Sequence, residues 1–239
     1  MALPENGATD GGGRVSMRPA ALIPAFNEAG SVSQVIRGLR VQLPQVVVVD
    51  DGSTDGTAER AREAGAHVIR HTRNRGKGHA IRTGLEYLLG GECSHVLLID
   101  GDMQHLPLEA LRLLGAAAET GADLVLGERQ FCRERMPPSR YYANQLGSRA
   151  LSWFAGVPLK DTQCGLRVFR IDALRRLPLT ASGYEIETEM LVKMRRLGGR
   201  IVSVPVTAVY NGQRSKLRPV RDTTRTCFLA VYYRFLERF

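Results

Sequence analysis

The ten residues Val46–Asp55, VVVVDDGSTD, decide the fold that we predict for this chain. Four β-branched residues in a row, Val46–Val49, are typical of a strand that is buried on both faces of a parallel sheet. Gly52 follows as a turn signal, and Ser53 or Thr54 is the N-cap expected for the next helix. A buried strand, a turn and a helix together form the repeating unit of an α/β protein.

The same unit recurs on both sides of this stretch. We predict strands at residues 20–23, 46–49, 67–70 and 96–99, and helices at residues 28–39, 54–64 and 78–89. This order predicts an α/β/α sandwich with a mostly parallel central sheet. The second half is less regular, with helices predicted at 111–120, 140–154, 186–197 and 226–239 and strands at 124–126, 166–169 and 200–206.

The composition is that of an ordinary globular protein, since 44% of the 239 residues are hydrophobic and 24% are charged. This balance excludes a mainly disordered chain, a collagen-like repeat and a coiled-coil rod. The apolar runs fall far short of the ~20 residues that span a bilayer, and the N-terminus lacks the pattern of an export signal. We therefore expect a cytoplasmic protein with a disordered tail at residues 1–17 and four reduced cysteines.

The net charge of +9 is concentrated near the C-terminus, because residues 214–239 contain seven basic residues and two acidic ones. Such an excess favours an anionic partner, and nucleic acid, phospholipid and nucleotide all qualify. Residues 218–239 form a basic amphipathic segment that is rich in aromatic residues. The sequence leaves open whether this segment lies on an anionic membrane surface or packs on its own domain.

Acidic side chains follow three of the predicted strands. The carboxyl ends of parallel strands meet at one edge of a sheet, where ligands bind, so these acids should lie close together. Isolated buried carboxylates are costly, and their clustering indicates a cation or hydrogen-bond donors between them. The acids that we assign to this edge are Glu28, Asp50, Asp51, Asp55, Asp100 and Asp102.

The sequence Asp100-Gly101-Asp102 carries the most specific signal of this edge. Two carboxylates separated by one small residue can both reach a hard divalent cation, which keeps open positions for phosphate oxygens. Gln104 adds a neutral oxygen two residues further on. The pattern therefore predicts a site for a divalent cation that also binds a phosphate group.

Four motifs together resemble the family 2 inverting glycosyltransferases of the GT-A fold, over residues 18–130. They are PAFNE at 24–28, VDDGSTD at 49–55, NRGKG at 74–78 and DGDMQ at 100–104. Within that family, the second half is similar to the dolichyl- or polyprenyl-phosphate mannosyl- and glucosyltransferases. The motifs that carry this similarity are GER at 127–129, Arg140, DTQCGLR at 161–167 and QRSKL at 213–217.

The resemblance implies a GT-A catalytic domain at residues 18–217, with a nucleotide-sugar and metal half at 18–130 and an acceptor half at 131–217. The enzyme would transfer mannose or glucose from GDP-mannose or UDP-glucose to a polyprenyl or dolichyl phosphate, with inversion at the anomeric carbon. It would act as a peripheral protein at the cytoplasmic face of the membrane. A separate membrane-embedded subunit is an alternative that the sequence leaves open.

The resemblance also assigns residues to roles. Nucleotide binding falls to Pro24, Phe26, Glu28, Asp50, Asp51, Lys77, Asp100 and Gly101. A Mg²⁺ or Mn²⁺ ion would be held by Asp100, Asp102 and Gln104. The acceptor phosphate would be bound by Arg129, Arg140, Arg167, Arg214, Ser215 and Lys216. The catalytic set is Asp102, Arg129, Arg140 and Arg214.

Two alternatives to this function stand beside it. A family 2 enzyme could act on a saccharide or another neutral acceptor, which would require a carboxylate base. A non-catalytic module for nucleic acid or an anionic surface is supported only by the net charge. Clustered carboxylates would repel nucleic acid, so we predict no nucleic-acid partner.

Several residues near the motifs have a simpler interpretation. Lys77 is as well explained by an exposed lysine at a helix start as by a contact with the diphosphate. One of the alternating acids Glu185, Glu187 and Glu189 could face the sugar hydroxyls, but we favour the interpretation that they are solvated. Core packing is the expected role of Met190, Met194 and Trp153.

Overall fold

The computed structural model describes residues 17–129, 152–153, 161, 164–207, 228–229 and 231–236. Its strands are β1 Pro19–Ala25, β2 Gln45–Asp50, β3 His67–Arg70, β4 His95–Leu98, β5 Leu124–Arg129, β6 Arg167–Arg170 and β7 Ile201–Val206. Its helices are α1 Val32–Arg40, α2 Thr57–Glu63, α3 Lys77–Leu89, α4 Pro107–Thr120, α5 Ile171–Arg175 and α6 Ile186–Arg196. A π-helical turn, Tyr232–Leu236, follows near the C-terminus.

The seven strands form one sheet in the order β3-β2-β1-β4-β6-β5-β7. The neighbouring strands pair in parallel except around β6, which is antiparallel to both β4 and β5. This confirms the predicted mostly parallel sheet. Leu98 lies opposite Arg167 in the β4–β6 pair. The start of β6 therefore lies at the same edge as the ends of β1, β2 and β4, and it contributes to that edge.

Two hydrophobic layers cover the faces of the sheet, as the run Val46–Val49 predicts. Alternate strand residues enter each layer: Leu22 packs with residues of α3 and α6, and Ile23 packs with residues of α1 and α4. All four valines of the run are buried, two on each face. The expected burial of Met190 and Met194 is also confirmed.

The predicted N-cap of α2 is wrong. The helix begins at Thr57, and the Asp55 carboxylate accepts hydrogen bonds from the Thr57 amide and hydroxyl. The Ser53 hydroxyl instead accepts from the Asn27 amide and joins the ends of β1 and β2. Burial raises the pKa of Asp55, but hydrogen bonds from Thr57 and Ala29 outweigh it and lower that pKa overall.

The second half departs from the prediction in a few places. The short helix α5 was not expected. Most of the predicted helix at 140–154 lies outside the described residues, as does most of the segment 218–239. Residues 152 and 153 are helical, and Trp153 is exposed, so its assignment to the core is wrong. In the described part of the chain, no helix combines the length and the apolar character needed to cross a bilayer.

Two glycines in helices test the packing of these layers. A Cβ atom at Gly84 of α3 would overlap the buried side chain of Leu22, whereas one at Gly115 of α4 would meet open space. Overpacking costs about 1–3 kcal/mol, and replacing glycine in a helix gains about 1 kcal/mol. We expect Gly84→Ala to lower the free energy of unfolding by about 1 kcal/mol and Gly115→Ala to raise it by a similar amount. Urea unfolding measures both, and changes of equal sign would contradict the packing.

Candidate active site

The predicted acids do lie along one edge of the sheet, at the ends of β1, β2 and β4. Pro24 is buried within β1, Phe26 and Glu28 are half-buried just after it, and Asp50 and Asp51 are buried at the end of β2. Asp100, Asp102 and Gln104 follow β4 and are partly exposed, and Gly101 between them is buried.

Asp51 organises the loop that follows β3. Its carboxylate accepts hydrogen bonds from the amides of Arg75 and Gly76, at 2.9 and 2.7 Å, and lies 2.7 Å from His71 Nδ1. Three partners thus hold a side chain that solvent barely reaches. Asp51 fixes the segment that leads into α3.

Asp50 plays a similar role next to Asp51. Its Oδ1 atom accepts from the Ser53 amide at 3.0 Å, and its Oδ2 atom lies 3.1 Å from Arg70 Nε. Asp50 is completely buried. These contacts hold Asp50 beside Asp51 at the end of β2, and the contact of either acid with a nucleoside stays a prediction.

The end of β1 is tied to the turn after β4. The Ser31 hydroxyl donates to the Gly101 carbonyl at 2.7 Å and lies 3.3 Å from the Glu28 carboxylate. The Glu28 amide donates to the Thr57 hydroxyl. Glu28 therefore faces the Asp100–Asp102 turn from the neighbouring strand.

Lys77 lies between two carboxylates from distant parts of the chain. Its Nζ atom is 2.6 Å from Asp100 Oδ1 and 2.7 Å from Glu187 Oε1. Its side chain is only 13% exposed, so its interpretation as an exposed lysine is wrong. Burial alone would lower the pKa of Lys77, but the two carboxylates outweigh it and raise that pKa.

The two acids after β4 differ in their electrostatic environment. Burial would raise the pKa of Asp100, but the Lys77 ammonium outweighs it and lowers that pKa. Burial, the Asp100 charge and the Glu28 charge raise the pKa of Asp102 to about 6. Asp102 accepts a hydrogen bond from the Gln104 amide, and Met103 between them has a φ of 60°. Asp102 thus carries negative charge that its neighbours do not neutralise.

This donor set fits a divalent cation. Among the described residues, the acidic side chains Glu28, Asp100, Asp102 and Glu187 outnumber the nearby cations Lys77, Arg167 and Arg129, and Arg129 is itself paired with Asp161. Across the described residues, no three His, Cys, Asp or Glu side chains converge as a complete metal site. Mg²⁺ on a phosphate substrate, however, needs only one or two protein carboxylates. Phosphate oxygens and water fill its other coordination positions. Asp100 and Asp102 are therefore residues that fit, and a contact of the partly exposed Gln104 with the cation stays a prediction.

Glycine is required beside Asp100. A Cβ atom at Gly165, just before β6, would overlap Asp100 Oδ2 and contact Glu187 Oε1. The glycine therefore leaves room for Asp100 Oδ2 to pack against the backbone, while Oδ1 is paired with Lys77. The DTQCG motif thus contributes a close backbone approach to the carboxylate edge.

Arg129 is held rigidly at the end of β5. Its Nε and Nη2 atoms donate to the two carboxylate oxygens of Asp161, at 2.6 and 3.0 Å, and its amide donates at 3.2 Å. Asp161 is buried, whereas the Arg129 side chain is 20% exposed. The pair orients the guanidinium of Arg129 on this side of the edge, and its contact with an acceptor phosphate stays a prediction.

The structure argues against the predicted acceptor contact of Arg167. This side chain is fully buried, and its guanidinium donates to the carbonyls of Cys164 and Glu187, at 2.9 and 2.5 Å. A phosphate ion would have to displace these bonds and enter the core. We therefore assign Arg167 a structural role. The other predicted acceptor residues, Arg140, Arg214, Ser215 and Lys216, lie outside the described residues.

The three alternating acids are buried, so their interpretation as solvated is wrong. Glu185 accepts from the Gly183 amide, Glu187 pairs with Lys77, and Glu189 accepts from Thr180 and Ala181. Together they fix the segment at 180–183 over the start of α3. The signal that sequence reasoning missed is the density of acids at the start of a helix that also carries Met190 and Met194 on its buried side.

The glycines of the NRGKG motif serve this same contact. The amides of Gly78 and His79 donate to the Ser182 carbonyl. Cβ atoms at Gly76 and Gly78 would overlap the carbonyls of Ser182 and Ala181. The motif thus lets two backbone segments approach closely and aims Lys77 at Asp100.

Comparison with known proteins agrees with this arrangement. Residues 20–177, more than half of the chain, match the family described as glycosyl transferase family 2. An undecaprenyl-phosphate mannosyltransferase of Micrococcus luteus is 35% identical over 206 residues, which are 81% of this chain and 84% of that protein. Glycosyltransferase AglJ of Haloferax volcanii is 34% identical over 220 residues, which are 89% of this chain and 70% of that protein.

The fold is also found among solved structures. Glucosyl-3-phosphoglycerate synthase of Mycobacterium tuberculosis, solved with Mn²⁺, uridine diphosphate and glucosyl-3-phosphoglycerate, superposes with a TM-score of 0.74. The match covers 91% of this chain and 80% of that one, at 22% identity. The carboxylate edge, the family match and the relatives together show that this chain belongs to glycosyl transferase family 2 and is a glycosyltransferase of the GT-A fold.

Proposed function

We propose that this glycosyltransferase transfers a hexose from a nucleotide sugar to a polyprenyl phosphate, with Mg²⁺ or Mn²⁺ bound at Asp100 and Asp102. The observation that carries the proposal is the excess of carboxylates at the sheet edge, where Asp102 has a raised pKa of about 6. The relative from Micrococcus luteus, named as an undecaprenyl-phosphate mannosyltransferase, supports the lipid-phosphate acceptor. The donor is GDP-mannose or UDP-glucose.

The chemistry needs a stabilised leaving group. A divalent cation, when bound, offsets the charge that develops on the departing nucleoside diphosphate. Asp100 and Asp102 would hold this cation, and Lys77 fixes Asp100 in place through their ion pair. Residues 18–130 would bind the donor and residues 131–217 the acceptor.

The acceptor side favours a phosphate over a neutral hydroxyl group. A phosphate monoester has a second pKa of about 6 and is ionised near neutral pH, so it needs no general base. A neutral acceptor would need a carboxylate as general base. Two described acids of the second half are already engaged, because Asp161 accepts hydrogen bonds from Arg129 and Glu187 pairs with Lys77. Cations that bind and orient the phosphate suffice, and Arg129, Arg140 and Arg214 are suited to this because guanidinium groups bind phosphate bidentately.

We infer that the enzyme works at an anionic membrane surface, because its acceptor would be a lipid. Phe228 and Phe235 are exposed near the C-terminus, within the segment that carries the excess of basic residues. Aromatic and basic side chains on one segment suit the headgroup region of a bilayer. A membrane-embedded subunit would provide an alternative route to the same location.

Replacing Asp102 by Asn tests the metal assignment. Because a bound cation supplies several kcal/mol of transition-state stabilisation, we expect transfer to fall by at least about 100-fold. The measurement is transfer of radiolabelled hexose to polyprenyl phosphate, at saturating Mn²⁺. Asp172→Asn, an exposed acid on α5, is the matched control. Transfer at the wild-type rate would contradict the assignment.

Thermal unfolding without metal shows whether the Asp102→Asn variant is folded. The raised pKa of Asp102 means that the folded protein keeps a proton that the unfolded chain, with a pKa near 3.8, has lost. The contribution of protonated Asp102 to the free energy of unfolding is therefore lost as the pH rises from about 4 to about 6. We expect the variant to gain in Tm relative to wild type across this interval. A variant that is less stable at pH 7 would indicate damage to the fold.

A panel of nucleotides identifies the donor base. Ligands that bind the folded state raise the Tm by mass action, so GDP, UDP, ADP and CDP are compared with and without Mn²⁺. We expect a metal-dependent rise with GDP or UDP and no comparable rise with ADP or CDP. No rise with any of the four would contradict the proposed donor site.

Charge reversal distinguishes the two classes of acceptor. Arg140→Glu and Arg214→Glu place a negative charge where the proposal requires phosphate binding, so we expect KM for polyprenyl phosphate to rise by at least about tenfold. KM for the nucleotide sugar should stay within about twofold, and Arg37→Glu on α1 provides a remote control. Little change in KM for the lipid phosphate would favour a neutral acceptor.

A further inference from the structure

We propose that Glu187 is a positioning residue that balances the charge of Lys77 and thereby keeps Asp100 available to a divalent cation. The proposal rests on the metal-dependent donor site proposed above. Glu187 belongs to none of the motifs that carry the resemblance to family 2, in either half of the chain. It reaches the site from the first turn of α6.

The ammonium of Lys77 is shared. It lies 2.6 Å from Asp100 Oδ1 and 2.7 Å from Glu187 Oε1, on a side chain that is only 13% exposed. Charges this close interact strongly where little water is present. With Glu187 in place, the positive charge of Lys77 is divided between two carboxylates, and Asp100 keeps part of its negative charge for another cation.

Glu187 cannot easily move away from this position. Arg167 Nη1 donates to its backbone carbonyl, and Arg167 Nη2 lies 3.9 Å from its Oε2 atom. The same guanidinium donates to the Cys164 carbonyl, next to Gly165. One buried arginine thus fixes both Glu187 and the backbone that passes beside Asp100.

The arrangement predicts opposite effects for two substitutions. Glu187→Gln keeps the size and an acceptor oxygen but leaves the Lys77 charge unbalanced beside Asp100, so we expect the Kd for Mn²⁺ to rise about tenfold. Lys77→Met removes the competing cation, so we expect Mn²⁺ to bind more tightly than to wild type. Transfer should fall in both variants, because Mn²⁺ binds more weakly in Glu187→Gln and Asp100 loses its ion-pair partner in Lys77→Met.

The experiment titrates Mn²⁺ alone into the full chain by calorimetry, without nucleotide. Wild type, Glu187→Gln, Lys77→Met and the double variant are compared, with Glu119→Gln, an exposed acid of α4, as the control for loss of one negative charge. The double variant should bind more tightly than Glu187→Gln, because the unbalanced ammonium is gone. Thermal unfolding in EDTA reports whether each protein is folded, and Glu187→Asp, which keeps the charge, should restore most of the affinity.

Each outcome decides the proposal. A Kd unchanged in Glu187→Gln, or shifts of the same direction in Glu187→Gln and Lys77→Met, would overturn it while leaving the metal site intact. Wild-type protein that binds no Mn²⁺ would overturn the proposed function and this proposal together. If Glu187→Gln does not fold, Lys77→Met still decides, because weaker binding in that variant contradicts the shared charge.

Discussion

The ion pairs of Lys77 are the interaction on which the rest of the site depends. Asp100 follows β4, and Glu187 lies on α6, in the half of the chain that follows the antiparallel strand β6. Like charges brought together at a sheet edge repel each other, and a buried cation between them turns that repulsion into attraction. The same side chain links α6 to the end of β4, so it balances charge at the edge and joins two segments that are distant in sequence.

A second layer of buried ion pairs supports the first. Lys193 and Glu189, one turn apart on α6, are both fully buried at 2.8 Å, and Glu189 also accepts hydrogen bonds from Thr180 and Ala181. Removing one partner of such a pair leaves an uncompensated charge that costs several kcal/mol. The segment at 180–183 is therefore held firmly, and its Ser182 carbonyl in turn caps the first amides of α3. Contacts of α6 with the segment at 180–183 thus help to position the start of α3, where Lys77 lies.

Contacts between residues close in sequence could be predicted, whereas contacts between residues far apart in sequence could not. The acids at the ends of β1, β2 and β4 belong to local strand-turn patterns, and parallel pairing brings such ends together, so the edge was predictable. Lys77–Glu187 joins residues 110 positions apart, and no local pattern encodes such a pair. Arg167 illustrates the same limit, because its residue type suits a phosphate and only its burial shows that it holds carbonyls instead.

The sequence offers two alternatives for the C-terminal segment, which could lie on a membrane surface or pack on its own domain. The described residues of this segment are compatible with both. Tyr233 is buried, its ring lies 4.6 Å from Lys193 Nζ, and its carbonyl accepts a hydrogen bond from Arg196. Phe228 and Phe235 nevertheless face solvent. In the described part of this segment, Tyr233 thus packs against α6 while Phe228 and Phe235 remain exposed, so packing on the domain leaves aromatic side chains that a bilayer could contact. Because α6 also carries Glu187, the helix that anchors this segment is the helix that positions Lys77 at the carboxylate edge.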